Sequence, residues 1–257
     1  MAHLSAADTR AARRKFEKDA AKALAELAHV LVIDYLRGWN GATKENIRLA
    51  EEALDKAYTI HRSVLPVAHV AESKIREIRG DLEGSIESLD AALALDPNLA
   101  DAYAHKANAK ILLGQAEEAP ELLEEAIKRS SRDPAPAREL GLFYWFMGRA
   151  YFNMGDYDKG IHWLKQSVDE RPTTWFTWAH LISAYALTGR LKPSDPDVER
   201  AVNTYRAKFL KDWPLEKIEA YYEQPKYRGE SSELRAALEV YISGLKTARK
   251  TAGVEVP

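Results

Sequence analysis

The sequence predicts an all-α fold: a right-handed α-α superhelix of antiparallel helix pairs, with capping helices at its ends. Three observations predict it. Gly80, Gly114, Gly155 and Gly189 separate helical patterns at spacings of 34, 41 and 34 residues, and a fixed period in this range marks a solenoid. The same classes of residue return at the same places when the chain is laid on a 34-residue frame. No stretch shows the apolar–polar alternation of a strand.

The elements follow in chain order. Residues 1–20 read as a charged amphipathic lead-in carrying Phe16. Residues 21–62 read as a degenerate helical hairpin. Leu24, Leu27, Leu31 and Tyr35 form one stripe, Asn40-Gly41 breaks the chain, and Ile47, Ala50, Leu54, Ala57 and Tyr58 form the partner stripe. Four copies of one unit then occupy residues 66–99, 100–133, 141–174 and 175–213. Their fourth position reads His69, Tyr103, Tyr144 and Trp178, and their twenty-fourth reads Leu89, Leu123 and Leu164. These large side chains fill the space between helices.

Small residues take the places where two helices must approach. The eighth position holds Ser73, Ala107 and Gly148, with Ile182 departing in the last copy. The twentieth holds Ser85, Ala119 and Gly160, and the twenty-seventh Ala92, Ala126 and Ser167. Each spaced glycine ends a first helix, taking a backbone conformation that other residues resist. Pro97 and Pro172 close the second helices. Before the third copy stand seven extra residues, Pro134 to Leu140, which read as a two-turn helical extension. Another shift, around Lys192 to Asp197, contains Pro193 and Pro196 and reads as a loop.

Residues 214–257 read as two capping helices, Leu215 to Tyr222 and Ser232 to Ala248, and a tail. The end unit of a solenoid otherwise exposes its stacking face. Leu234, Ala237, Leu238, Tyr241, Ile242 and Leu245 make the last helix amphipathic. It suits capping, homo-oligomer formation through the terminal helices, or folding back over the inner face.

FYWFMGRAYFNMGDYDKGIHWLKQSVDERP and GDLEGSIESLDAALALDPNLADAYAHKANAKILLG resemble the tetratricopeptide repeat, and the resemblance runs from residue 66 to about 213. It implies that the first helices of successive pairs line a concave groove. It also implies ligand contacts at the second, fifth, ninth and twelfth positions of each copy. The ninth position then supplies Lys74, Asn108, Arg149 and Ser183, the twelfth Glu77 and Phe152, the fifth Trp145 and the second Phe176. A cation, an amide, a cation and a hydroxyl suit a peptide backbone or carboxylate, and arginine binds an oxyanion in bidentate fashion. Aromatic and arginine anchors together are the usual hot spots of interfaces. The relatives that clamp two carboxylates carry lysine or asparagine where Val70 and Ala104 stand here, so that specificity is not carried over.

The segments IDYLRGWN, FYWFMGRAYFNMGDYDKGI and AHLISAYALTGRL are further similar to the tetratricopeptide regions that follow bacterial class III adenylate/guanylate cyclase domains. That resemblance implies a regulatory or sensor module in a bacterial signalling system. The sequence holds no metal-binding aspartate pair in a strand context, as the cyclase domain itself would require.

Composition narrows the alternatives. The 257 residues carry a formal net charge of −2, which argues against a chain built to coat nucleic acid. No cysteine is present, which removes disulfides, thiolate zinc sites and cysteine nucleophiles. The charged N-terminus lacks the apolar core of a secretory signal, and the expected location is cytoplasmic without membrane insertion. No phosphate-binding loop, H-E-x-x-H or G-x-S-x-G is present. Glu117-Glu118 and Glu124-Glu125 read as exposed faces of second helices. His105 and His180 share the sixth position of their copies and read as solvated surface residues, with a ligand site as the sharper reading. The expected function is a non-catalytic scaffold that binds a protein, peptide or helix, with no cofactor and no metal. An enzyme on a helical-repeat scaffold is the remote alternative.

Overall fold

The computed structural model describes residues 6–37, 43–61, 65–130, 139–192, 194–223, 239 and 242–247, and among these every regular element is helical. The chain divides into two compact units, Met1–Ala102 and Tyr103–Pro257.

The first unit contains α1 (Ala6–Arg37), α2 (Lys44–Ile60), α3 (Pro66–Arg79) and α4 (Leu82–Leu95). The lead-in and the first hairpin helix are one element, because α1 runs through residue 20 without a break. Ala25, Ala28 and Val32 of α1 pack with Ile47, Ala50, Ala53 and Leu54 of α2 and with Ala68, Ala71 and Ile75 of α3. Six of these ten side chains are alanine, so the helices approach closely and dispersion contacts are dense. Thr43 starts α2 by accepting the Glu45 N–H at 3.2 Å, while Asn46 accepts the Thr43 N–H at 3.0 Å. Two orphan donors are satisfied reciprocally. Tyr58 donates to Glu72 across α2 and α3 at 3.1 Å, and Arg76 pairs with the same carboxylate at 2.8 Å. His69, then Arg76 and Tyr58, hold the Glu72 carboxyl near about 2 against the opposing effect of burial.

The second unit contains most of α5 (Ala100–Leu112), then α6 (Ala119–Ser130), α7 (Leu140–Asn153), α8 (Tyr157–Glu170), α9 (Trp175–Leu187), α10 (Pro196–Lys208) and α11 (Leu215–Tyr222). A further helical stretch covers 242–247. Two expectations change here. Glu117 and Glu118 lie in a 3-10 turn, Ala116–Glu118, that precedes α6. Most of the extension read over Pro134 to Leu140 lies outside the described residues, and α7 begins at Leu140. Pro196 is not in a loop but opens α10, where Asp195 accepts the Asp197 N–H at 2.9 Å. Leu234, Ala237, Leu238 and Tyr241 also lie outside the described residues.

All four spaced glycines have positive φ, between 67° and 85°. Each makes the same pair of closing bonds. Gly155 N–H donates to Phe152 O at 3.0 Å and Asp156 N–H to Tyr151 O at 2.9 Å; Gly80, Gly114 and Gly189 repeat this with their own neighbours. Orphan carbonyls at the end of the helix are thereby satisfied within two residues. The residue after the glycine then caps the next helix where it is aspartate: Asp81 accepts from Gly84 N–H at 3.0 Å, and Asp156 from Lys159 N–H at 3.2 Å. Gln115 makes no such cap, and a 3-10 turn follows it. Lys110 reaches across that turn to Gln115 and Glu118, each at 3.0 Å.

Within the α7/α8 pair the small positions set the separation. A Cβ on Gly148 would stand 2.7 Å from Leu164 Cγ and 3.1 Å from its backbone nitrogen, and Leu164 is fully buried. Gly160 faces the Gly148 carbonyl, and Ser167 Oγ donates to Gly141 O at 2.6 Å. Gly148→Val therefore forces the helices apart and is expected to cost about 2–3 kcal/mol as an overpacked core site. Gly155→Ala meets open space and pays only the left-handed backbone cost, about 1–2 kcal/mol. Denaturant unfolding of both variants checks the order; equal losses would show that helix approach is not what Gly148 provides.

Candidate functional site

Beside the Gly148 contact with α8, α7 carries Trp145, Arg149 and Phe152, the last of which also meets Tyr157 of α8 edge-on at 5.2 Å. All three are buried, with exposures of 8%, 2% and 2%. Arg149 Nη1 donates to Asn108 Oδ1 of α5 at 3.0 Å, joining two ninth positions separated by 41 residues. The guanidinium lies over the Trp145 ring at 5.6 Å. A charged group in such a place needs hydrogen-bonding and polarisable neighbours to offset lost hydration.

Trp145 links the cation to α9. Its ring sits 4.3 Å from Phe176, 5.1 Å from Phe146 and 5.8 Å from His180, the last edge-on. Phe152 meets His180 edge-on as well, at 5.8 Å. His105 contacts Phe146 in the same manner, also at 5.8 Å. The Trp145 indole N–H is buried and makes no hydrogen bond among the described residues. A buried donor left without an acceptor costs stability, and such groups are rare. Ser183, one turn beyond His180 on α9, is completely buried, whereas Phe176 is half-buried.

The structure thus brings Asn108, Trp145, Arg149, Phe152, Phe176 and His180 into one contiguous set. Lys74 and Glu77 belong to the first unit, where both are buried on α3. The reading of His105 and His180 as solvated surface residues is overturned, since each is at least nine-tenths buried. For His180 the sequence signal was available, because it stands between Ala179 and Leu181 in the mostly apolar first helix WFTWAHLISAYAL; His105, followed by Lys106, carries a weaker one. Among the described residues, no three His, Asp or Glu side chains gather as a metal site requires. No helix of the described residues is long and apolar enough to cross a membrane.

His180 is chemically neutral here. Burial drives its pKa down to about 3; an Nδ1 contact with Phe176 O at 2.8 Å opposes this, and Arg149 adds to the lowering. The folded value lies below the ordinary 6.5, so the unfolded chain takes up the proton first as pH falls. This contribution to stability is complete above pH 6.5 and is lost progressively from there toward about 3. The expected slope is at most about 1.4 kcal/mol per pH unit. Unfolding measured between pH 7 and 4 should show a shallower acid dependence in His180→Phe than in the wild-type chain. Parallel curves would mean that the ring is hydrated.

Comparison with known proteins gives the fold a context. A family model for the tetratricopeptide repeat matches residues 100–133 and 143–174, which are the α5/α6 and α7/α8 pairs. No curated protein matches the chain. Among solved structures, PilF from Pseudomonas aeruginosa is similar with a TM-score of 0.61 at 15% identity, covering 93% of this chain and 96% of that one. MamA from Desulfovibrio magneticus is similar over 77% of this chain and 96% of its own, with a TM-score of 0.47 at 19% identity. The chain therefore contains two tetratricopeptide repeats within an all-α helical-repeat fold.

Proposed function

We propose that this protein is a non-catalytic interaction scaffold that holds a peptide or helix from a partner protein on the inner face of its first helices. The observation that carries the reading is the row Asn108–Arg149–Trp145–Phe176, joined by the 3.0 Å hydrogen bond and the aromatic contacts described above. The close approach of α7 and α8 is made beside it, at Gly148, Gly160, Leu164 and Ser167. Helical repeats that stack in one dimension offer extended surface as their main functional asset.

In this reading Phe176 is the accessible edge, and Trp145, Arg149, Asn108, Phe152 and Ser183 form the floor beneath it. The Trp145 N–H suits a carbonyl acceptor of the ligand, and Arg149 suits a carboxylate or backbone oxygen. Lys74 and Glu77 supply the corresponding positions of the first unit. His105 and His180 shape the floor, His180 as a neutral ring. The protein works in the cytoplasm on protein ligands, without nucleic acid. The resemblance to cyclase-linked repeats makes a nucleotide cyclase, or a protein of its pathway, the first partner to test.

A photoreactive phenylalanine analogue placed at Phe176 is expected to form covalent adducts with a partner in source-cell lysate. The same group at Lys165, a half-buried position on α8, should form none. Adducts from Lys165 alone would move binding to the opposite face and sink this assignment.

A further inference from the structure

Ser183 occupies the ninth position of its copy, and something already covers it. Gly244, within the helical stretch 242–247, lies against α9 so closely that a Cβ would stand 2.8 Å from Ser183 O and 3.0 Å from its Cα. The Gly244 backbone therefore lies directly against the backbone and the hydroxyl of Ser183. Glycine is what permits the approach. Leu245 beside it is buried at 5% exposure. Lys246 pairs with Glu219 of α11 at 2.8 Å, and both partners are more than a third exposed. Ser243, Lys246 and Thr247 face solvent.

The segment meets α11 through Glu219 and α9 at the ninth position of its copy, where the resemblance to the tetratricopeptide repeat implies ligand contacts. It does so as a helix, with a small residue at the point of contact and an apolar residue next to it. The outermost support is an ion pair in water, which holds weakly.

We infer that the α9 surface around Ser183 is a helix-docking site whose resident occupant is the chain's own C-terminal segment. The external ligand it fits is an amphipathic helix with glycine or another small residue followed by an apolar one, which must displace residues 242–247 to bind. This rests on the scaffold reading for its biological sense, but its physical content concerns this chain alone.

The test uses the full-length protein and a fluorescent peptide of residues 231–257. Wild-type protein, with its site filled, should bind the peptide weakly. Gly244→Leu cannot approach Ser183, so its own segment leaves and the peptide should bind about 10-fold tighter, as expected when a tethered competitor is removed. Lys246→Glu sets like charges against Glu219 on the surface and should give a smaller gain of the same sign. It carries the test if Gly244→Leu does not fold. A peptide bearing the Gly244→Leu change should bind neither variant. Equal peptide affinity for wild type and both variants, or no binding to any of them, would overturn the inference. Neither result bears on whether position 176 crosslinks a separate partner.

Discussion

The arrangement depends on how a first helix is made to stop. In each of four places the chain must leave an α-helix, satisfy its last carbonyls and begin an antiparallel helix within a few residues. A left-handed residue does this by turning two backbone N–H groups back onto the helix. At Gly80, Gly114, Gly155 and Gly189 the same two bonds form at distances of 2.9 to 3.2 Å. Because the reversal is the same each time, the second helix emerges with the same facing relative to the first. The small residues at Gly148, Gly160 and Ser167 can then meet their counterparts. Register in the turn comes first, and close packing is its consequence.

That packing decides which side of the first helices is left for other work. With Gly148 of α7 committed to α8, the side chains of Trp145, Arg149 and Phe152 beside it also reach neighbouring helices. They meet Asn108 of α5 and Phe176 and His180 of α9. The result is a layer and not an open trough. Arginine is buried at 2% exposure, yet it is hydrogen-bonded and lies over an aromatic ring, which makes its desolvation tolerable. The same low-dielectric surroundings keep His180 neutral, so the layer holds one cation and not two.

Much of this was legible in the sequence for physical reasons. Glycine spacing reports backbone conformation directly, and small residues at fixed positions report helix contact. The helix Leu215–Tyr222 could be read to its end residues, because Pro214 precedes it and polar residues follow. Less legible were features that depend on a partner element. Lys110 is a charge on a first helix, and it is met by Glu118 only after the chain has turned. The 3-10 turn at Ala116 follows from the absence of an aspartate cap at Gln115, a subtler signal than a helical stripe. The identity of the ninth-position residues was readable, but their union in space was not. Sequence gives the register of Asn108 and Arg149, whereas the 3.0 Å bond needs the crossing of α5 and α7. His105 and His180 were misjudged because a single imidazole has no periodic signature; the apolar company it keeps is the better guide.

The contact of Gly244 with Ser183 adds an energetic argument about selectivity. Burial of Leu245 provides about 1.5–3 kcal/mol. An exposed pair such as Lys246–Glu219 adds about 0–1 kcal/mol. Such a hold would be negligible for a free peptide, since association entropy exceeds it. It persists because the segment is tethered, at an effective concentration on the order of millimolar. On the proposal above, a ligand that merely repeats the glycine–leucine contact therefore loses to the resident segment. A successful ligand must make contacts that the short stretch 242–247 does not. On the same proposal these include the half-buried ring of Phe176 and the Trp145 N–H, which makes no hydrogen bond among the described residues. The proposal thus has the resident helix set a threshold at Ser183 and the aromatic and arginine row select the partner that clears it.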